Sequence, residues 1–375
     1  MRTQLAEKKR WVVKVGSSLL TANGQGLDHD LIQQWSEQIA TLINDGHEVV
    51  LVSSGSIAEG ITRLGWNRKP TAVHDLQAAA AIGQMGLIRA YESAFNQYKR
   101  YTAQILLTHE DMANRRRYLN ARATLSTLLR FGAVPIVNEN DTVTTDEIRL
   151  GDNDTLAAMV VGLIEADVLV LLTDQEGLFD KDPSKYSDAK LLAEANASDQ
   201  SVKALAGPSA TQFGSGGMQT KILAAERAAL SGASTVIASG RLDQVLLKIR
   251  RGENVGTLLT AEQQPQDARK RWLSNQLHAK GTITIDAGAN QNLHEKGSSL
   301  LAVGVTACTG NFQRGELVSC INEQQTECAR GLINYSADET RKILGRSSRS
   351  FAELLGYERE PELIHRDNLI LLRKQ

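Results

Sequence analysis

The stretch GSGGMQTK, Gly214 to Lys221, places three glycines and a lysine directly before a helical pattern. The residues that follow, ILAAERAALSG, carry apolar side chains at helical spacing and end at Gly232, a residue type that favours the turn after a helix. Unpaired N–H groups at the start of such a helix lie at the positive end of its dipole, so they bind anions. The stretch does not match G-x-x-x-x-G-K-[ST], and on its own it fits a flexible loop before a surface helix equally well.

A second lysine, Lys14, lies in the apolar run WVVKV, directly before a turn that Gly16 permits. Burial of a lysine is costly unless an anion meets it, so Lys14 either faces a ligand or lies on an edge strand facing solvent. The stretch SSGSIAEG also follows an apolar run. Its Ser54 contacts a ligand, or else Ser54 or Ser56 caps the next helix.

Acidic and amide side chains gather in NENDTV (138–143) and GDNDTLAAMV (151–160). Five acidic residues of this region could carry chemistry, namely Glu139 and Asp141 in the first stretch, Asp152 and Asp154 in the second, and Asp146 between them. They hold Mg²⁺, bind a substrate ammonium group or orient the lysines, and one of Asp152, Asn153 and Asp154 is expected to cap the helix. In LLTDQEGL, Thr173 and Asp174 end an apolar run, which suits nucleotide contacts but also an ordinary strand exit.

Together these clusters favour phosphoryl transfer, which needs positive charge around the moving group and a fixed geometry. No Ser-His-Asp set is evident. The histidines His29, His47, His74 and His109 show no metal-ligand spacing, and we expect them at the surface or in loops.

Apolar runs alternate with helical patterns over residues 1–260. The predicted strands lie in WVVKV, HEVVLVSSG, AQILLT, AVPIVNEN, DVLVLLTD and, as the last of the series, STVIAS. This alternation predicts an α/β fold with a mostly parallel sheet between helices, and ligands bind such sheets beyond the carboxyl ends of the strands. A polar linker is predicted over 261–279 and a small β-rich module over 280–365.

Bulk properties limit the classes of function. The chain has 375 residues and a formal net charge of −1, so nothing drives it globally towards nucleic acid or acidic membranes. The three cysteines, Cys308, Cys320 and Cys328, lack C-x-x-C spacing and are expected to be reduced thiols. No apolar run has membrane-spanning length, and we expect a cytoplasmic protein.

In order and spacing, VVKVGSSLL, VSSGSIAEG, NENDTV, GDND, LLTDQEGL and GSGGMQTK resemble the glutamate 5-kinases of the amino acid kinase family. The segment from GTITID to GELVSC resembles a PUA domain. The resemblance covers the chain from about Trp11 onward. It implies the amino acid kinase fold followed by a PUA barrel.

The resemblance also implies transfer of the ATP γ-phosphoryl group to the side-chain carboxylate of L-glutamate, with Mg²⁺, as the first step of proline biosynthesis. It makes Lys14 and Lys221 the catalytic cations, oriented by Asp154. Ser54, Asp141 and Asn153 match glutamate-contacting positions, with Asn138 and Asp152 nearby. The nucleotide positions are Lys14, Thr173, Asp174, Ser215, Gly216, Gly217, Met218, Gln219, Thr220 and Lys221. Gln219 stands where relatives have a smaller residue, but its backbone can still bind phosphate. No metal ligand is assigned.

Further expectations follow from the resemblance alone. They are inhibition by proline, a homodimer or homotetramer, and delivery of the product to glutamate-5-semialdehyde dehydrogenase. Two alternatives stay open. The chain is an RNA-binding protein whose PUA module is the functional part, which truncation after about residue 260 would test, or it phosphorylates another acceptor such as aspartate, acetylglutamate, carbamate or a nucleotide.

Overall fold

A computed structural model describes residues 2–21, 26–144, 153–205, 217–261, 279–357 and 360–372. The chain divides into two compact units, the first comprising residues 1–114 and 120–265 and the second residues 115–119 and 266–375. The predicted boundaries of 1–260 and 280–365 stay predictions, because most of the predicted linker lies outside the described residues. Among the described helices, none is both long and apolar enough to cross a membrane.

The larger unit is built on an eight-stranded sheet with the strand order β3-β4-β2-β1-β5-β7-β8-β6. All pairings in it are parallel except the one between β7 and β8. The strands are β1 (Arg10–Val15), β2 (Glu48–Ser53), β3 (Thr102–Leu107), β4 (Val134–Glu139), β5 (Val168–Thr173), β6 (Glu194–Asn196), β7 (Ser234–Ser239) and β8 (Thr257–Thr260). The predicted mostly parallel sheet is confirmed, but STVIAS is not its last strand, because β8 follows it.

Helices connect these strands. They are α1 (Ser17–Leu20), α2 (His29–Asn44), α3 (Ser56–Arg63), α4 (Val73–Asn96), α5 (His109–Ala113), α6 (Arg115–Arg130), α7 (Asn153–Ile164), α8 (Gln200–Leu205), α9 (Met218–Leu230) and α10 (Val245–Arg250). A short 3₁₀ helix, Arg2–Glu7, precedes β1.

Strand β1 lies in the interior of the sheet, between β2 and β5. Its residues from Trp11 to Val15 are buried without alternation, which shows that both faces of the strand are covered. Trp11, Val13 and Val15 pack in one cluster with residues of α2 and α4. Side chains alternate along a strand, so Lys14 projects from the opposite face.

Helices α3 and α4 are in backbone contact through glycines. A Cβ added to Gly83 would lie 1.8 Å from the carbonyl oxygen of Ser56, and one added to Gly60 would lie 1.8 Å from that of Ala79. Only glycine permits this approach. Since α3 begins at Ser56, the contact fixes the position of the loop between β2 and α3 against α4.

The smaller unit contains a five-stranded sheet with the order β10-β9-β11-β12-β13. Its strands are β9 (Gly281–Ile285), β10 (Val305–Gly310), β11 (Leu317–Ile321), β12 (Glu327–Leu332) and β13 (Leu369–Leu371), and its helices are α11 (Ala287–Lys296), α12 (Ala337–Ile343) and α13 (Phe351–Leu355). This confirms the predicted β-rich module. Cys320 and Cys328 are buried, Cys308 is partly buried, and none forms a disulfide.

One prediction about the histidines is wrong. His47 is buried, because its ring packs edge-on against Trp11 and its Nδ1 lies 2.9 Å from the carbonyl oxygen of Lys8. His29 and His74 are exposed, but they lie in α2 and α4 and not in loops.

Candidate active site

Two lysines and one aspartate meet at the carboxyl end of β1. Lys14 Nζ lies 2.6 Å from Asp154 Oδ1, and Lys221 Nζ lies 3.1 Å from Asp154 Oδ2. Lys14 comes from β1, Asp154 from the first turn of α7 and Lys221 from the first turn of α9. The structure therefore brings together three side chains that the sequence separates by up to 207 positions.

All three side chains are buried, with relative exposures of 4% for Lys14, 0% for Asp154 and 4% for Lys221. Burial alone raises the pKa of Asp154, but the two ammonium groups outweigh it and hold that pKa below its usual value. Asp154 is thus a carboxylate, and the triad carries one net positive charge. The alternative reading of Lys14 as a solvent-facing residue on an edge strand is wrong, because β1 is an interior strand.

The start of α9 adds further polar groups to this point. Thr220 Oγ1 lies 2.8 Å from Asp154 Oδ2 and 2.7 Å from the carbonyl oxygen of Gly217. The N-cap residue is Gly217, and no side chain caps the helix. The first N–H groups of a helix lack partners within it, so Met218, Gln219 and Thr220 present donors and the positive helix end near the triad. Ser215 and Gly216 lie outside the described residues.

Thr173 is the last residue of β5 and Asp174 follows it, and β5 is the neighbour of β1 on the side opposite β2. Thr173 is buried, and its Oγ1 donates a hydrogen bond of 2.9 Å to Asp174 Oδ1. The side chain of Asp174 is exposed. In the register of the two strands, Leu172 lies opposite Val15. Thr173 and Asp174 therefore lie at the same edge of the sheet as Lys14.

A second polar group joins the ends of β2 and β4 to α7. Asn153 Nδ2 donates to Ser54 Oγ at 2.8 Å, to the carbonyl oxygen of Ser53 at 3.2 Å and to Asn138 Oδ1 at 3.2 Å. Asn153 Oδ1 is buried and has no hydrogen-bond partner among the described residues. Asn153 and Asp154 are adjacent in α7, so this amide group lies beside the triad.

Asp141 follows β4 and accepts a hydrogen bond of 3.0 Å from Ser56 Oγ. Burial raises its pKa from 3.8 to about 6, although the bond from Ser56 opposes the shift. Asp141 is therefore a carboxylate at neutral pH that lacks full solvation, which suits it to bind a cation.

The alternative reading of Ser54 as a helix cap is wrong. The N-cap position of α3 is Gly55, with a φ of 96°, and no side chain caps this helix. Ser54 instead accepts a hydrogen bond from Asn153. Asp146 and Asp152 lie outside the described residues. Asn153 and Asp154 are the first two residues of α7 itself, so the expectation that one of Asp152, Asn153 and Asp154 caps this helix stays untested at Asp152.

Sequence reasoning missed the contribution of α4. Tyr91 OH lies 3.1 Å from Ser53 Oγ, and Gln84 Oε1 accepts from Asn138 Nδ2 at 2.8 Å. Gln77 Nε2 donates to the carbonyl oxygen of Thr144 at 2.9 Å. The available signal is the seven-residue spacing of these three polar residues, which places them on one face of an alanine-rich helix.

No group of three or more His, Cys, Asp or Glu side chains able to hold a metal ion occurs in the part of the chain that the structure describes. Both oxygens of Asp154 contact ammonium groups.

Buried lysines, a helix start and a parallel sheet edge are the features of a kinase of this fold. The model of the amino acid kinase family matches residues 9–239, and the model of the PUA domain matches residues 281–355. Among solved structures, the UMP kinase from Bacillus anthracis is 17% identical, with a TM-score of 0.47 over 68% of this chain and 97% of that chain.

Curated relatives match over nearly the full length. A glutamate 5-kinase from Nitrosococcus oceani is 60% identical over 99% of this chain and 99% of its own. Those from Nitrosospira multiformis and Thioalkalivibrio sulfidiphilus are 58% and 57% identical, with coverage of 99% or more of each chain. The chain belongs to the glutamate 5-kinases of the amino acid kinase family.

Proposed function

We propose that this enzyme transfers the γ-phosphoryl group of ATP to the side-chain carboxylate of L-glutamate, forming γ-glutamyl phosphate for proline biosynthesis. The observation that carries the proposal is the buried triad of Lys14, Asp154 and Lys221, with its net positive charge. The glutamate 5-kinases that match the whole chain support the choice of acceptor.

Phosphoryl transfer to a carboxylate brings two anions together. A glutamate side chain has a pKa of about 4.3 in water, so it is already ionised at neutral pH and needs no general base. The obstacle is electrostatic repulsion, and fixed cations in a water-poor site lower it most effectively. Lys14 and Lys221 serve as these cations, and Asp154 keeps both ammonium groups in place before substrates bind.

The acceptor binds on the side of the triad where β2 and β4 end. Asp141 provides a carboxylate for the substrate ammonium group, and Ser54 and Asn153 provide neutral polar contacts. Asn153 Oδ1 is a buried acceptor without a partner among the described residues, so a substrate donor would satisfy it. Asn138 supports Asn153 through its hydrogen bond.

The nucleotide binds at the ends of β5 and α9. Thr173 and Asp174 contact it there, and Gly217 to Lys221 contact its phosphates. Ser215 and Gly216 are assigned to the same site from the sequence alone. Gln219 is compatible with phosphate binding at the start of α9, because a helix start binds phosphate through backbone N–H groups and not through the side chain. Mg²⁺ enters with ATP as part of the substrate.

An acceptor screen tests the proposal. The enzyme is incubated with ATP, Mg²⁺ and hydroxylamine, which traps acyl phosphates as hydroxamates, and with L-glutamate, L-aspartate or N-acetyl-L-glutamate in parallel. We expect hydroxamate with glutamate and at least tenfold less with the other two. Equal or greater yield with aspartate or acetylglutamate would reject glutamate as the acceptor.

We also propose, from family membership, that proline inhibits the reaction, that the chain forms a homodimer or homotetramer, and that a glutamate-5-semialdehyde dehydrogenase takes up the labile product. The match of residues 281–355 to the PUA domain favours RNA as a second ligand. RNA binding would weaken with added salt, because phosphate contacts release counterions. Titration of the full chain with RNA at two salt concentrations addresses this point.

A further inference from the structure

Helix α4 presents one polar face to the loops of the acceptor site. Gln77, Gln84 and Tyr91 recur every seven residues, which is close to two helical turns, and each contacts a different loop or strand end. Gln84 occupies the middle of this face. It is buried, at 8% relative exposure, and contacts Asn138.

The backbone determines the orientation of the two asparagine amides. The N–H of Glu139 donates to Asn138 Oδ1 at 2.9 Å, so this atom is oxygen and the other is the NH₂ group. The carbonyl oxygen of Ser53 accepts from Asn153, so the atom of Asn153 that faces it is nitrogen. The amides therefore run in one direction, from Asn153 as donor to Asn138 as acceptor.

Gln84 completes this row. Asn138 is 1% exposed, and its NH₂ group donates to Gln84 Oε1. Gln84 Nε2 is buried without a partner among the described residues, and Gln84 lines a cavity of about 220 Å³ together with Asp141. The Gln84 carbonyl is thus the contact that satisfies a deeply buried donor, and loss of that contact would leave the donor unpaired.

We propose that Gln84 is a positioning residue for the acceptor substrate. It holds the Asn138 amide, which in turn holds Asn153, so that Asn153 Oδ1 points at the substrate ammonium group. Without Gln84, Asn138 relieves its unpaired NH₂ group by rotating towards the cavity, and Asn153 loses a contact that fixes its plane. The proposal rests on the assignment of glutamate as the acceptor.

The variant Gln84→Met tests the proposal, because it keeps the length of the side chain and removes both amide atoms. We expect the KM for glutamate to rise about fivefold to thirtyfold, which corresponds to a loss of about 1–2 kcal/mol in substrate binding. The KM for ATP should stay within about twofold, since no described nucleotide residue is hydrogen-bonded to Gln84. Gln97→Met is the matched control, because Gln97 makes an exposed amide pair with Gln33 and should leave both constants unchanged.

A double-mutant cycle separates positioning from direct contact. In an Asn153→Ala background, Gln84→Met should raise the KM for glutamate no further, because its effect passes through Asn153. The variant Gln84→Glu keeps an acceptor for Asn138 and should recover part of the affinity that Gln84→Met loses. ATP binding and thermal unfolding are measured for every variant to show that each one is folded.

Three outcomes would overturn the proposal. They are an unchanged KM for glutamate in Gln84→Met, multiplicative effects in the cycle, and equal losses in Gln84→Met and Gln84→Glu. Failure of the proposed function is a separate result, since the wild-type enzyme would then form no hydroxamate with glutamate.

Discussion

Replacement of Lys221 by methionine removes one of the two buried ammonium groups and keeps an unbranched side chain. Asp154 still contacts Lys14 Nζ at 2.6 Å and Thr220 Oγ1 at 2.8 Å, so its charge does not become unpaired. Loss of a partner is most damaging when it leaves a lone buried charge, which is not the case here. We therefore expect Lys221→Met to fold, with a Tm within a few degrees of wild type.

The effect on catalysis follows from the removed charge. An ammonium group about 3 Å from a phosphoryl oxygen contributes about 5 kcal/mol at an effective dielectric constant of about 20. Part of this attraction is already present with bound ATP and does not lower the barrier. With about 4 kcal/mol specific to the transition state, kcat should fall about a thousandfold.

The assay measures hydroxamate formation at saturating glutamate and ATP, with Tm determined on the same preparations. Lys203→Met is the matched control, because Lys203 Nζ pairs with Glu226 at 2.7 Å and the two side chains are 31% and 30% exposed. A surface pair of this kind contributes little, so the control should retain wild-type kcat. A kcat of Lys221→Met within tenfold of wild type would show that this ammonium group does not face the transferring phosphoryl group.

Three further predictions concern Asp141 and the contact between α3 and α4. Because burial raises the pKa of Asp141 to about 6, the KM for glutamate should rise as the pH falls through 6, and Asp141→Asn should show a high KM without this rise. Because burial disfavours the ionised form of Asp141, its charge destabilises the folded state. The variant Asp141→Asn should therefore gain up to about 3 kcal/mol in unfolding free energy above pH 6 and none below about pH 4. An equal gain at pH 4 and pH 7 in denaturant titrations would contradict this. Gly83→Ala places a Cβ 1.8 Å from the Ser56 carbonyl oxygen and should cost about 1–3 kcal/mol, whereas Gly288→Ala in α11 meets only Asp286 Oδ1 at 3.5 Å and should be neutral or slightly stabilising. Urea titration of both glycine variants checks this, and equal stability of Gly83→Ala and wild type would refute the close approach of α3 and α4.

The sequence predicted which side chains gather at the carboxyl edge of the sheet, because strand ends are visible in it. Ser54, Asn138 and Thr173 each follow an apolar run, and parallel strands bring such ends to one edge of the sheet. Lys14 could not be assigned in this way. Whether it faced solvent or the interior depended on the position of β1 in the sheet, and the strand order arises from contacts between segments far apart in the chain.

The missed elements have related physical causes. β6 has three residues and β8 has four, so neither shows the periodicity that identifies a strand, and each is stabilised by pairing with a distant partner. His47 has no apolar sequence signature, yet the ring of Trp11 covers it. Gln84 lies in an alanine-rich helix, where its seven-residue spacing from Gln77 and Tyr91 places the three on one face but does not show that this face is buried.

The charge balance of the triad explains why an aspartate lies between the two buried lysines. Two buried ammonium groups without a counterion would repel one another and lose their hydration, at a cost of several kcal/mol per ion. Asp154 offsets one charge and fixes both lysines, through one carboxylate oxygen each. Under the proposed function, the remaining positive charge would serve the transferring phosphoryl group, and Asp154 would hold both cations in position before the nucleotide binds.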